Sequence, residues 1–169
     1  MKRKLELKDI AGYLPYRLHC INCDDIIEII EFDNVGNLMR GIDLQDEAED
    51  DEWVASQQYK SILRPLSDLY RTITHDGKEI VPIVDLAKIS FPNCEWEKDK
   101  NIDSAKSKNG IFFYDCYKGF YYRYKCGISD VYNQYQLFDY LHELKIDYRG
   151  LIDAGLAVSV YDLEDNPYK

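Results

Sequence analysis

No apolar run in the chain approaches the ~18 residues a membrane-spanning helix requires, and the opening MKRKLELKDI mixes charge into every turn, which excludes the apolar stretch of a secretory signal. A cytoplasmic protein with no membrane contact is therefore expected. Cysteine is scarce and unpaired in number: Cys20, Cys23, Cys94, Cys116 and Cys126 are irregularly spaced, which suits free thiols in a reducing compartment better than a disulfide framework. The phosphate-binding GxxxxGK[ST] loop, GxGxxG, HExxH and GxSxG are all missing. His19, His75 and His142 fall on a predicted strand, a turn and a helix, so the sequence sets none of them beside a nucleophile. Glu143-Leu144-Lys145 has the Glu-x-Lys form of some nucleases, but on a helix the two side chains diverge. These absences lead to the expectation of a protein without catalytic machinery, cofactor or metal. A basic patch is also missing, and with a pI near 4.7 this weighs against direct nucleic-acid binding.

What the chain has is acid, concentrated in one place. Of a formal charge of −10, the segment from Asp24 to Glu52 contributes −11, with twelve acids against the single base Arg40; the other 140 residues hold 19 acids and 20 bases. One negative lobe on a near-neutral body is implied. Its densest part is DLQDEAEDDEW, Asp43 to Trp53. An EF-hand needs alternating ligands around a central glycine, and this run has no glycine. A solvated, mobile loop is the plainest reading. The sharper ones are a partner surface, or an imitation of nucleic-acid phosphates, which would need the carboxylates held at fixed spacing.

The remaining organisation is mixed. LKDIAGYLP reads as a short opening helix ended by Gly12 and Pro15. YRLHCINC and DIIEIIEF flank an Asn-Cys-Asp-Asp turn as an antiparallel hairpin, and NLMRGIDL supplies a third strand. YKSIL begins as a strand and changes period at Pro65, after which Leu66, Leu69, Tyr70 and Ile73 fall on one helical face. His75-Asp76-Gly77 is a turn. KEIVPIVDLAKI runs from a strand into a helix with Leu86 and Ile89 inward. The polar stretch 95–110 reads as a mobile loop closing on Asn-Gly. Gly110 to Cys126 forms an aromatic hairpin around Tyr117-Lys118-Gly119. In that register Cys116 faces Phe120, Tyr114 faces Tyr122 and Phe112 faces Tyr124 on the core side. Asp115 with Tyr121, Phe113 with Arg123, and Ile111 with Lys125 share the other side. Ser129 then caps a helix carrying Val131, Tyr135, Phe138, Leu141 and Leu144, and YRGLIDAGLAVSV gives a short helix with Gly155 just past its end, then an extended tail. Without regular βαβ alternation the class is α+β: an antiparallel sheet with short helices and a C-terminal helix packed on it. Length predicts one domain, 1–169.

Four segments, LKDIAGYLPYRL, ILRPLSDL, IVPIVDLAKI and YRGLIDAGLAV, carry a resemblance over most of the chain. Together they resemble a family of uncharacterised proteins of Bacteroides-type gut bacteria, found within prophages and other mobile elements. The resemblance implies a context, a small cytoplasmic accessory protein of phage origin, and supplies no assigned activity or catalytic residues to carry over. The long acidic insert and the Cys20-Ile21-Asn22-Cys23 pair are not expected in every relative, so family membership does not explain them.

Three constellations remain. Cys20 and Cys23, with His19 beside them, have the spacing of a zinc knuckle or redox pair, but Cys116 and Cys126 are too far apart to complete a site, and ordinary strand and turn cysteines are the better reading. Asp46, Glu47, Glu49, Asp50, Asp51 and Glu52 with Trp53 form the favoured partner-binding set, because acids can steer a partner and an exposed aromatic can anchor it. The partner would be an unidentified protein, in one version a basic nucleic-acid-binding protein; a homodimer through open strand edges is allowed but not demanded. The rival reading is an enzyme or small-ligand binder with a tyrosine-lined pocket at 111–126, using Phe113, Asp115, Tyr121, Arg123 and Lys125. As a stacking surface with cationic neighbours that hairpin also has the form of a single-strand binder, though charges that snorkel or pair with Asp115 explain it more simply.

Overall fold

Isoleucine, tyrosine and phenylalanine at alternating positions build most of the strands, and proline and glycine cut them short. The computed structural model describes residues 5–22, 25–32, 38–43, 52–55, 59–124 and 127–168, with the backbone alone at 32, 38, 39, 42, 43 and 52–55. In chain order the elements are α1 (Leu7–Ile10), running into a 3-10 turn at Ala11–Tyr16, then β1 (His19–Asn22), β2 (Asp25–Phe32), β3 (Leu38–Asp43), β4 (Glu52–Ala55) and β5 (Lys60–Leu63). After a 3-10 turn at Leu66–Tyr70 come β6 (Ile73–His75), β7 (Lys78–Ile80), α2 (Pro82–Ser90), β8 (Glu97–Lys98), β9 (Ala105–Lys106), β10 (Gly110–Asp115), β11 (Gly119–Tyr124) and β12 (Gly127–Asp130). The chain closes with α3 (Gln134–Glu143), β13 (Ala157–Ser159) and a last 3-10 turn. The class is α+β, as expected. Two compact units are formed, Met1–Pro65 with His142–Pro167, and Leu66–Leu141 with Tyr168–Lys169, where length alone predicts one domain.

The first unit is a six-stranded sheet in the order β13-β5-β1-β2-β3-β4. The predicted hairpin forms, from His19 opposite Glu28 to Asn22 opposite Asp25, and β3 joins β2 antiparallel as the third strand. Ile27 and Ile29 alternate inward to meet Ile10, Tyr13, Leu18 and Leu63 in the core. The Tyr13 hydroxyl, fully buried, donates to the Ile146 carbonyl at 2.9 Å. The opening helix is a single α turn; Gly12 and Pro15 sit inside the 3-10 turn that follows, and Arg17, at φ 58°, ends it. A Cβ at Gly12 would run into the His142 ring, so the close approach there requires glycine.

The C-terminal segment departs from the expected helix. Buried Asp147 accepts the amides of Leu151 (2.9 Å) and Ile152 (2.7 Å), and Gly150 and Gly155 both take positive φ. The carboxylate therefore organises a run of turns instead of a helix, and no helix packs on the sheet from 151–155. Ala157–Ser159 then leaves the turns as the one parallel strand of the sheet, beside β5.

The second unit carries a five-stranded antiparallel sheet, β12-β11-β10-β9-β8, and the β6–β7 hairpin. That hairpin turns on Asp76 (φ 48°) and Gly77 (φ 71°), as the Asp-Gly pair predicts. Ile73, expected on a helical face, is a buried strand residue of β6. Pro82 opens α2, whose buried stripe is Ile83, Leu86 and Ala87; Ile89 lies off that stripe and is 41% exposed, against the expectation. The stretch 95–110, expected as a loop, contains β8 and β9, with Trp96 and Ala105 buried. Ser129 is a residue of β12 and not a cap. The helix starts after Asn133, whose carbonyl accepts from Gln136 and Leu137, and Leu137 and Leu141 go inward while Tyr135 stays exposed.

The aromatic hairpin keeps its faces but moves its register. Asp115 Oδ1 accepts the amides of Tyr117 (2.9 Å) and Lys118 (3.1 Å), drawing the loop one residue earlier, to Cys116-Tyr117-Lys118. Tyr114 thus pairs with Phe120, and Phe112 with Tyr122. A partner shift of two residues preserves side-chain parity. Phe112 and Phe120 are accordingly fully buried and stacked at 5.6 Å, with Phe91, Trp96, Tyr114, Tyr122 and Phe138 packed around them. Cys116, expected on the core side, is exposed in the turn.

Candidate functional site

The acidic stretch is anchored by strands at both ends. β3 and β4 pair antiparallel, with Gly41 opposite Glu52 and Arg40 opposite Trp53. Asp46, Glu47, Glu49, Asp50 and Asp51, in the segment joining these strands, lie outside the described residues; Glu52 and Trp53 are placed on β4 by their backbone. Upstream, two of the acids are neutralised internally. Glu28 receives a two-pronged hydrogen bond from Arg17, Nε to Oε1 at 2.9 Å and Nη2 to Oε2 at 2.7 Å, and Glu31 pairs with Arg40 at 3.1 Å. The only base of the acidic segment is thereby engaged, and no Lys or Arg occurs between Arg40 and Lys60.

Beside Glu28 lies a polar cluster that sequence reasoning missed, having considered His19 as a partner of Cys20 and Cys23 and as a histidine beside no nucleophile, but never with Glu28. His19 Nε2 is 4.0 Å from Glu28 Oε2, and buried Lys145, at φ 59°, donates to the Glu143 carbonyl at 2.9 Å and lies 5.8 Å over the Tyr16 ring. The hydrogen bond from Arg17 holds the Glu28 carboxyl below its usual range, and burial lowers the His19 imidazole despite that neighbouring carboxylate. A neutral imidazole beside a carboxylate resembles a general-base pair, but at 5% exposure His19 offers no approach for a substrate. Neither the positive φ of Arg17 nor its pairing with Glu28 has a signature in the sequence.

Cys20 is buried against Ser61, its thiol 3.7 Å from the hydroxyl, and burial pushes its pKa up to about 12, which favours the neutral thiol. Cys23 and Cys126 lie outside the described residues. Among the described residues no group of three His, Cys, Asp or Glu has metal-holding geometry.

The rival site at the aromatic hairpin is only partly assembled. Phe113 and Tyr121 pair across the strands and stack at 5.6 Å, and the register sets Arg123 opposite Ile111, while Lys125 lies outside the described residues. Asp115 is engaged by the turn, and the Tyr121 hydroxyl donates to the Lys118 carbonyl at 3.2 Å. Register extends this face into two rows: Glu97, Lys106, Ile111, Arg123 and Ile128, then Phe113, Tyr121 and Asp130. Glu97 and Lys106 pair at 3.5 Å, so charge on this face is mixed. A cleft of about 690 Å³ opens nearby, where the segments around Cys94 and Lys108 splay beyond the β8–β9 pairing. It is lined by Trp96, Glu95, Lys106 and Asn109 among others, and by none of the tyrosines or the four described residues of the expected pocket.

Among the described residues no helix is long and apolar enough to cross a membrane. Comparison with protein-family models, curated proteins and solved structures finds no match to this chain.

Proposed function

We propose that the protein works in the cytoplasm by binding another protein through the acidic surface of the β3–β4 connection, as an accessory factor of a phage or mobile element. The observation carrying this reading is charge segregation. Upstream acids Glu28 and Glu31 are paired to Arg17 and Arg40, whereas Asp46 to Glu52 follow in a stretch with no base before Lys60. A hairpin connection with this charge raises the local concentration of a basic partner and speeds encounter, and Trp53 beside it supplies the apolar anchor that charge alone lacks. A basic nucleic-acid-binding protein is the partner class such a surface suits, with inhibition by occupying its phosphate-binding groove as the mode of action. The test is affinity capture from a nuclease-treated lysate of the native host, using wild type and a variant with Asp46, Glu47, Glu49, Asp50, Asp51 and Glu52 as Asn or Gln. A stoichiometric protein held by wild type and lost by the variant is the expected result. Equal recovery by both contradicts the proposal.

A further inference from the structure

β12 ends the five-stranded sheet, paired on one side to β11 and, among the described residues, to no strand on the other. The Val131 amide donates to the Phe120 carbonyl at 3.4 Å, so by antiparallel alternation Ser129 and Gly127 are the residues bonded to β11. The N–H and C=O of Ile128 and Asp130 are directed away from the sheet; the Asp130 carbonyl also accepts the Ser129 hydroxyl at 3.3 Å.

This open edge has side-chain features that a solvated edge does not need. Ile128 is 61% exposed and Tyr132, just past the strand, is fully exposed. On the face that Ser129 shares with Tyr122, a cavity of about 320 Å³ lies between the edge and the end of α2, lined by Ser90, Phe91 and the whole stretch from Ser129 to Asn133, Asp130 included. On the other face Asp130 has no cationic partner among the described residues. An open edge beside a pocket under a helix end is the arrangement in which backbone pairing supplies affinity and alternate side chains supply specificity.

We propose that β12 is a docking edge for an extended peptide of a partner protein, added as an antiparallel sixth strand, with a basic residue opposite Asp130, an apolar residue opposite Ser129 entering the cavity, and a β-branched residue opposite Ile128. Alternation dictates this order: residues opposite Asp130 and Ile128 share the face of those side chains, and the one between them points to the Phe91 side. Asp130 selects the basic residue by charge, and the rings of Phe91 and Tyr132 select the apolar one. β12 belongs to the second unit, and peptide docking there does not require the acidic connection between β3 and β4.

The probe is a short fluorescent peptide with Lys-Leu-Val between threonines, titrated against the full chain beside controls carrying Lys-Asp-Val and Glu-Leu-Val. Saturable binding of the first, weakened at least about tenfold in either control, is expected. Ile128→Pro removes an outward N–H that the β11 ladder does not use and should abolish binding while leaving the thermal transition in place. Should that variant not fold, Asp130→Lys should reverse the preference toward Glu-Leu-Val. Hydrogen exchange gives the decisive readout: bound peptide should slow the amides of Ile128 and Asp130 specifically. No saturable binding, or binding without protection of those amides, overturns the proposal. So does concentration-dependent protection of the same amides without peptide, which would make a second copy of the chain the occupant.

Discussion

His19 and Cys20, neighbours at the start of β1, are both held neutral by burial, and each yields a measurable consequence. With its pKa near 12, Cys20 should resist alkylation in the native protein at mildly alkaline pH, while exposed Cys116 reacts. Site-resolved labelling by mass spectrometry checks this, and rapid native labelling of Cys20 would contradict it. For His19 the folded pKa lies below the ordinary 6.5, so the unfolded chain binds more protons between those values. Its contribution to stability is present above pH 6.5 and is lost as pH falls toward the folded value. Glu28, also lowered, acts in the same direction but further into acid, losing its contribution as pH falls through its folded pKa. The thermal stability of wild type should therefore fall as the pH is taken below 6.5, and His19→Gln should flatten that slope. These properties follow from burial and an ion pair between distant residues. The sequence showed His19 next to Cys20 but contained no sign that Arg17 would adopt positive φ and engage Glu28.

At the scale of elements, the start of α3 holds the turn end of the aromatic hairpin through one side chain. Gln134 accepts from the Phe120 amide at 3.0 Å and donates to the Phe120 carbonyl at 2.6 Å, adding to the longer bond that this carbonyl accepts from the Val131 amide at 3.4 Å. Gln134→Ala should cost about 1–3 kcal/mol in unfolding free energy by denaturant titration, and Gln134→Glu should recover only part of it, since a carboxylate cannot donate to that carbonyl. Gly119→Ala should be comparably harmful, because φ is +88° and the added Cβ would stand 2.6 Å from the Gln134 amide oxygen. Strands with strong alternation, such as those of DIIEIIEF and GIFFYDCYKGFYYRY, were legible in the sequence. So was the parity of the hairpin faces, since a shift of two residues leaves it unchanged. Its register was not legible, because glycine at position 119 suits either loop and the choice falls to the Asp115 carboxylate. β8, β9 and β13 are two- or three-residue pieces whose order comes from neighbouring strands, leaving local composition nothing to signal. The buried carboxylate of Asp147 likewise outweighs the helical pattern after Tyr148.

For the whole molecule the governing feature is the separation of charge. The acidic excess was legible from composition, as was its confinement to one segment; the engagement of Arg17 and Arg40 with Glu28 and Glu31 required the fold. Charge of this kind acts mainly on encounter and so is strongly weakened by salt, whereas an apolar anchor, the role proposed for Trp53, acts on residence. A complex formed through this surface should thus lose most of its recovery between about 0.05 M and 0.3 M salt. Trp53→Ala should speed its dissociation with little change in its salt dependence.

The measurement that tests the account most directly is capture of host proteins by wild type and by the six-acid neutral variant, quantified in parallel across that salt range. The account predicts a stoichiometric partner on wild type that falls away with salt and is missing from the variant even at low salt. A partner recovered equally by both proteins, at every salt concentration, would contradict it and leave the acidic connection as a solvated link between β3 and β4.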